Sequence, residues 1–125
     1  MITIAFLFIF ISLFVILFQI ALTLGAPWGE LTMGGRYHGK LPKQMRLIAV
    51  AQIIILLLID VIVLAKSQIA FPRLYPPSRV GIWFVFAFFV LGTLMNIITP
   101  SKKERLIWAP VSAVLLILSL VNAIP

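Results

Sequence analysis

Long apolar runs separated by short polar segments set the pattern of this chain. Apolar residues dominate residues 3–24, 46–65, 80–99 and 106–124. Each run is close to the roughly 20 residues that an α-helix needs to cross a bilayer core of about 30 Å. Glycine, proline and charged residues collect between the runs. The pattern predicts an all-α fold, a single four-helix transmembrane bundle over residues 1–125.

The composition supports this prediction and limits the chemistry. The 125 residues are 63% hydrophobic and 10% charged, with mean hydropathy +1.22, whereas soluble domains are about 45–50% apolar and about 25% charged. The chain has no Cys, which excludes disulfides, thiol redox chemistry and thiolate metal sites. With a single His in addition, we expect neither a metal site nor a cofactor.

Basic residues lie between the apolar runs, where positive charge sets membrane orientation. Seven of the ten fall in or beside the first and third loops and three beside the second. The bias predicts that loops 1 and 3 are cytoplasmic and that both termini are outside. We interpret the net charge of +7 as a preference for anionic lipid headgroups, and we expect no binding to nucleic acid.

Polar side chains within the apolar runs are candidate functional groups: Gln19, Gln52, Asp60, Asn96 and Asn122. Asp60 is the ionisable residue that lies clearly within a span, where a charge costs about 2.5–3.5 kcal/mol. We interpret Asp60 first as a structural group that is hydrogen-bonded to Asn122 or Ser119. The alternative is a group that handles protons.

Residues 25–42, between the first two runs, hold five of the seven glycines and the single His. Together with the start of the fourth run, they predict a polar cluster at the inner mouth of the bundle, formed by Trp28, Glu30, Arg36, His38, Glu104, Arg105 and Trp108. Glu30 is expected to pair with Arg36 across a Gly34-Gly35 turn. Ser101 and Glu104 have the spacing of a reciprocal capping box at a helix start.

Two groups of motifs carry a family resemblance. The first is Gly-Ala-Pro-Trp-Gly at 25–29, Gly-Gly at 34–35, Leu-Pro at 41–42 and Arg46; the second is Pro-Ser at 100–101, Glu-Arg at 104–105, Trp108 and Pro110. Over essentially the whole chain, they resemble a group of small bacterial four-span integral membrane proteins of unknown function. The resemblance implies the same four-helix layout and no particular activity.

Three functions follow as hypotheses. The leading one is a multi-pass cell-membrane protein without enzymatic activity that binds a partner at its cytoplasmic face, either anionic lipid or another membrane protein. The first alternative is a small proton-coupled transporter or transporter subunit that uses Asp60. Because four short helices enclose little volume, such a transporter would need a homodimer. The second alternative is a membrane enzyme acting on lipid headgroups through Glu30, His38 and Glu104.

Overall fold

Four long α-helices form the protein in a computed structural model that describes residues 2–124. They span Ile2–Thr23 (α1), Lys43–Lys66 (α2), Tyr75–Ile98 (α3) and Lys102–Ala123 (α4). Each helix is long and apolar enough to cross a membrane, and no strand occurs within residues 2–124. The predicted all-α, multi-pass, four-helix transmembrane bundle is therefore confirmed.

The helices pack as a ring in which each contacts the next along the chain. The most extensive contacts join α3 to α4 and α1 to α2, and contacts between α1 and α4 close the ring. Loop 1 (residues 24–42) and loop 3 (residues 99–101) consequently lie at one end of the bundle. Loop 2 (residues 67–74) and the C-terminal end of α4 lie at the other.

One face of each helix points into the bundle. The fully buried side chains there include Phe8 of α1, Val63 of α2 and Ile82 of α3, and the rings of Phe8 and Phe89 meet edge to face at 5.7 Å. The opposite faces expose large apolar side chains, such as Phe10 at 73%. Apolar side chains turned outward on every helix fit a lipid surrounding.

Three helices begin earlier than the apolar runs. α2, α3 and α4 start at Lys43, Tyr75 and Lys102, three to five residues before the predicted spans. Charged residues and prolines occupy these extra first turns, where proline is tolerated because the first helical N–H groups have no intrahelical partner. The helices therefore extend beyond the apolar runs, and the extension of α4 carries Glu104 and Arg105 of the predicted cluster.

Candidate functional site

Loop 1 folds back onto the N-terminal end of α4 and forms a cap, defined here as residues 24–42 together with residues 99–108. The backbone N–H of Gly34 donates to Oε2 of Glu104 at 2.8 Å. The hydroxyl of Ser101 donates to the carbonyl of Glu30 at 3.1 Å. Polar backbone of loop 1 is thus satisfied by side chains that lie about 70 residues further along the chain.

Trp108 attaches the loop one helical turn deeper. Its indole N–H donates to the carbonyl of Leu31 at 2.8 Å. Its ring lies 4.6 Å from that of Phe18 on α1, and Phe18 in turn stacks on Trp28 of loop 1 with an interplanar angle of 6°. An aromatic layer therefore joins α1, loop 1 and α4 directly beneath the polar contacts of the cap.

The predicted capping box is half formed. Oγ of Ser101 accepts the backbone N–H of Glu104 at 3.2 Å, as a helix N-cap does. The return bond is missing, because the backbone N–H of Ser101 donates to Oγ1 of Thr99 instead. The carboxylate of Glu104 is already bonded to Gly34, so the prediction of a reciprocal capping box was wrong in its second half.

Glycines allow close approaches between loop 1 and α4 and within loop 1 itself. Gly35 has a φ of +72°, and a Cβ atom added to it would lie 2.8 Å from Cβ of Ser101. Gly29 donates its backbone N–H to the carbonyl of Gly39 at 2.8 Å, and a Cβ on Gly29 would lie 2.6 Å from that carbonyl oxygen. The loop is therefore a defined fold that side chains at these two positions would disturb.

Glu30 is the charged centre of the cap. Its carboxylate lies 2.8 Å from Nζ of Lys103 and 3.4 Å from Nδ1 of His38. The hydrogen bond and positive charge of Lys103 hold the pKa of Glu30 below its ordinary value, with a smaller contribution from His38, so Glu30 is ionised at neutral pH. The expected pair with Arg36 is replaced by Lys103, which the third loop brings to the same end of the bundle.

Several other basic residues at this end of the bundle either bond to backbone or lie exposed on the surface. Arg105 donates to the carbonyl of Thr99 at 2.9 Å and so satisfies backbone at the C-terminal end of α3. Arg36, Lys40 and Lys43 are exposed and form no ion pair within residues 2–124. The predicted cluster is therefore brought together as a cap, with Arg36 on its outer surface.

Glu30 and Glu104 use their carboxylates differently. The side chain of Glu104 is buried and bonded to backbone, whereas that of Glu30 is 36% exposed and bonded to the ammonium group of Lys103. Within residues 2–124, no three side chains of the His, Asp and Glu type lie close enough to share a metal ion.

Three of the five intramembrane polar residues make contacts near the cap end. Nε2 of Gln19 donates to Oε1 of Gln52 at 3.2 Å, which links α1 to α2. Nδ2 of Asn96 donates to Oγ of Ser112 at 3.2 Å, which links α3 to α4. These contacts join the helix pairs that pack most extensively, and such interhelical bonds between polar side chains stabilise bundles in lipid.

Asp60 is buried at 7% exposure and faces α1. The hydroxyl of Ser12 donates to Oδ2 of Asp60 at 3.0 Å, whereas Oδ1 is buried and has no partner within residues 2–124. The expected partners were Asn122 and Ser119, and this expectation was wrong. The hydroxyl of Ser119 donates within α4, to the carbonyl of Leu116.

Asn122 instead belongs to the end of the bundle opposite the cap. Its side-chain amide donates to Oγ of Ser67 at 2.7 Å, and its backbone carbonyl accepts a bond from Nζ of Lys66 at 2.9 Å. These two contacts attach the end of α4 to the end of α2. The polar residues of the spans therefore form separate groups at different depths.

Comparisons of the chain with protein-family models, with curated proteins and with solved structures found no match.

The structure of the cap predicts that replacing two glycines of similar backbone conformation by alanine lowers stability by different amounts. Gly35 and Gly39 have φ values of +72° and +76°, but a Cβ on Gly39 would meet nothing within 4 Å. Gly39→Ala should lower the free energy of unfolding by about 1 kcal/mol through the left-handed backbone alone. Gly35→Ala adds the clash with Ser101 and should cost at least about 2 kcal/mol.

Thermal unfolding of the two purified variants in detergent measures this difference. Equal losses would show that loop 1 does not pack against Ser101 as described.

Proposed function

We propose that the protein is a non-enzymatic multi-pass protein of a bacterial cell membrane that binds anionic lipid headgroups through its cap. The observation that carries this proposal is the exposed positive charge on a fixed loop. Arg36 and Lys40 of loop 1, and Lys43 directly after it at the start of α2, are exposed and form no ion pair within the described residues. Loop 1 itself is held by Glu104, Ser101 and Trp108. The resemblance to small bacterial four-span proteins supports the choice of membrane.

The arrangement of the two carboxylates in the cap favours a binding function over a catalytic one. The buried carboxylate, Glu104, is bonded to the backbone amide of Gly34, and the exposed carboxylate, Glu30, is bonded to Lys103 and His38. Clustered basic groups beside a membrane attract anionic lipid at about 1 kcal/mol each. A rigid loop presents such groups without a large cost in conformational entropy on binding.

The proposal places the cap on the cytoplasmic side, because seven of the ten basic residues lie in or beside loops 1 and 3. The chain has no native Cys, so single cysteines report position without interference. Lys40→Cys should react with a membrane-impermeant maleimide only after cells are permeabilised, whereas Arg73→Cys at the opposite end should react in intact cells. The reverse pattern would place the cap outside.

Lipid preference is tested by thermal stability in detergent with added short-chain lipid. A ligand that binds the folded state raises the melting temperature, so short-chain phosphatidylglycerol should stabilise the protein more than short-chain phosphatidylcholine. Arg36→Gln combined with Lys40→Gln should reduce this difference, because two basic contacts worth about 1 kcal/mol each are lost.

The matched control combines Arg73→Gln with Arg79→Gln, which removes the same charge from exposed residues at the other end. It should retain the preference for phosphatidylglycerol. Equal effects of the two double variants would mean that net charge, and not the cap, attracts the lipid. Added salt should weaken the preference by screening the exposed cations.

A second candidate function, proton-coupled transport, is favoured by one observation. Asp60 lies in the bundle with a donor at Oδ2 and an unpartnered buried atom at Oδ1, and intramembrane carboxylates commonly mark ion paths and proton relays. Under this hypothesis Asp60 accepts and releases a proton during transport, and Ser12 orients its carboxylate.

Asp60→Asn tests for proton movement through the bundle in sealed vesicles with a pH-sensitive dye inside. Under the transport hypothesis the wild-type protein dissipates an imposed pH gradient and Asp60→Asn abolishes this flux, because Asn carries no exchangeable acid proton. Ser12→Ala keeps the carboxylate and should retain part of the flux. A wild-type protein with no flux above that of empty vesicles would eliminate proton leak as its function.

A further inference from the structure

An apolar groove runs along the outer surface of the bundle directly beneath the polar contacts of the cap. It is lined by Phe14 and Phe18 of α1, Trp28 and Leu31 of loop 1, and Ile107 and Trp108 of α4, and its volume is about 240 Å³. A groove of this size accommodates a segment of one hydrocarbon chain, whereas a helix with its side chains is about 10 Å wide.

The walls of the groove are fixed by contacts that also hold the cap. The indole N–H of Trp108 is bonded to the carbonyl of Leu31, and Phe18 lies between the rings of Trp28 and Trp108. Loop 1 thus supplies one wall of the groove. A site whose walls are already ordered binds a flexible chain at a lower entropic cost than one that must form on binding.

A cation lies at the cap end of the groove. Lys103 is four residues before Ile107 on α4, so the two side chains lie on the same helix face one turn apart. Its ammonium group contacts Glu30, which directly precedes Leu31 in the groove wall. Because the side chains of Lys103 and Glu30 are 63% and 36% exposed, this ion pair is weak and open to exchange with another anion.

We propose that the groove binds one acyl chain of an anionic phospholipid whose phosphate is bound by Lys103 at the rim. This inference rests on the proposed function and gives it a defined site. The apolar walls match the chain, the Trp rings suit the depth of the headgroup region, and the excess of basic over acidic residues at the cap matches an anionic headgroup. The phosphate displaces the Glu30 carboxylate from part of its contact with Lys103.

Tryptophan fluorescence tests the site, because two of the three Trp residues line the groove. The Trp83→Phe variant leaves only Trp28 and Trp108 as reporters. It is reconstituted into phosphatidylcholine vesicles that contain a minor fraction of lipid with brominated acyl chains, which quench nearby Trp. The brominated lipid is phosphatidylglycerol in one set of vesicles and phosphatidylcholine in the other.

We expect stronger quenching by brominated phosphatidylglycerol than by brominated phosphatidylcholine at equal content. Lys103→Gln should lower the relative association of phosphatidylglycerol about fivefold, as loss of one basic contact implies. Lys102→Gln is the matched control, since it removes the same charge from the neighbouring exposed position. It should lower the association less than Lys103→Gln does, because its charge adds to the general attraction of the cap but does not lie on the helix face of Ile107.

The other outcomes overturn the site in distinguishable ways. Equal losses in Lys102→Gln and Lys103→Gln would indicate a diffuse attraction of anionic lipid, which removes the site and leaves the proposed function intact. Equal quenching by the two brominated lipids in the parent would show that the groove does not select an anionic headgroup. If the stability assay also shows no preference for phosphatidylglycerol, the proposed function fails with the site.

Discussion

The constraint on which this structure depends is the need to satisfy loop 1 backbone next to a bilayer. A helix satisfies its own N–H and C=O groups, but a loop of 19 residues between two spans does not. Here the side chains of Ser101, Glu104 and Trp108 provide partners for backbone groups of loop 1. All three lie at or near the first two turns of α4, which is why the early start of α4 at Lys102 matters.

The hydrophobic pattern was sufficient to predict the four helices, because span length and apolar content are properties of local sequence. It was also sufficient to predict that loop 1 and the start of α4 lie at the same end of the bundle, since four consecutive spans place loops 1 and 3 there. The hydrophobic pattern did not specify which side chains pair within the cap. Glu30 binds Lys103 instead of Arg36, because the docking of loop 1 on α4 brings a residue distant in sequence closer than one six positions away.

Asp60 shows the same limit within the bundle. It lies six residues from the end of α2, about 9 Å along the axis, and this depth alone favours Ser119 or Asn122 near the end of α4 as its partner. Contacts between α2 and α4 are sparse, however, whereas α1 and α2 pack extensively. Asp60 therefore faces α1 and meets Ser12. The rotation of α2 about its own axis decided which helix Asp60 faces. A single sequence does not specify which polar faces of the four helices will meet.

The cap and the groove beneath it are two consequences of the same docking. Each bond from α4 to loop 1 satisfies a backbone group, and the indole ring that makes the deepest bond also forms a wall of the groove. The bond from Trp108 to Leu31 therefore holds part of loop 1 and one wall of the groove at the same time. Lys103 differs, because its exposed pair with Glu30 adds little to the docking. Since the fold does not depend on Lys103, its charge remains available for an anionic ligand, whereas the buried carboxylate of Glu104 is committed to the fold.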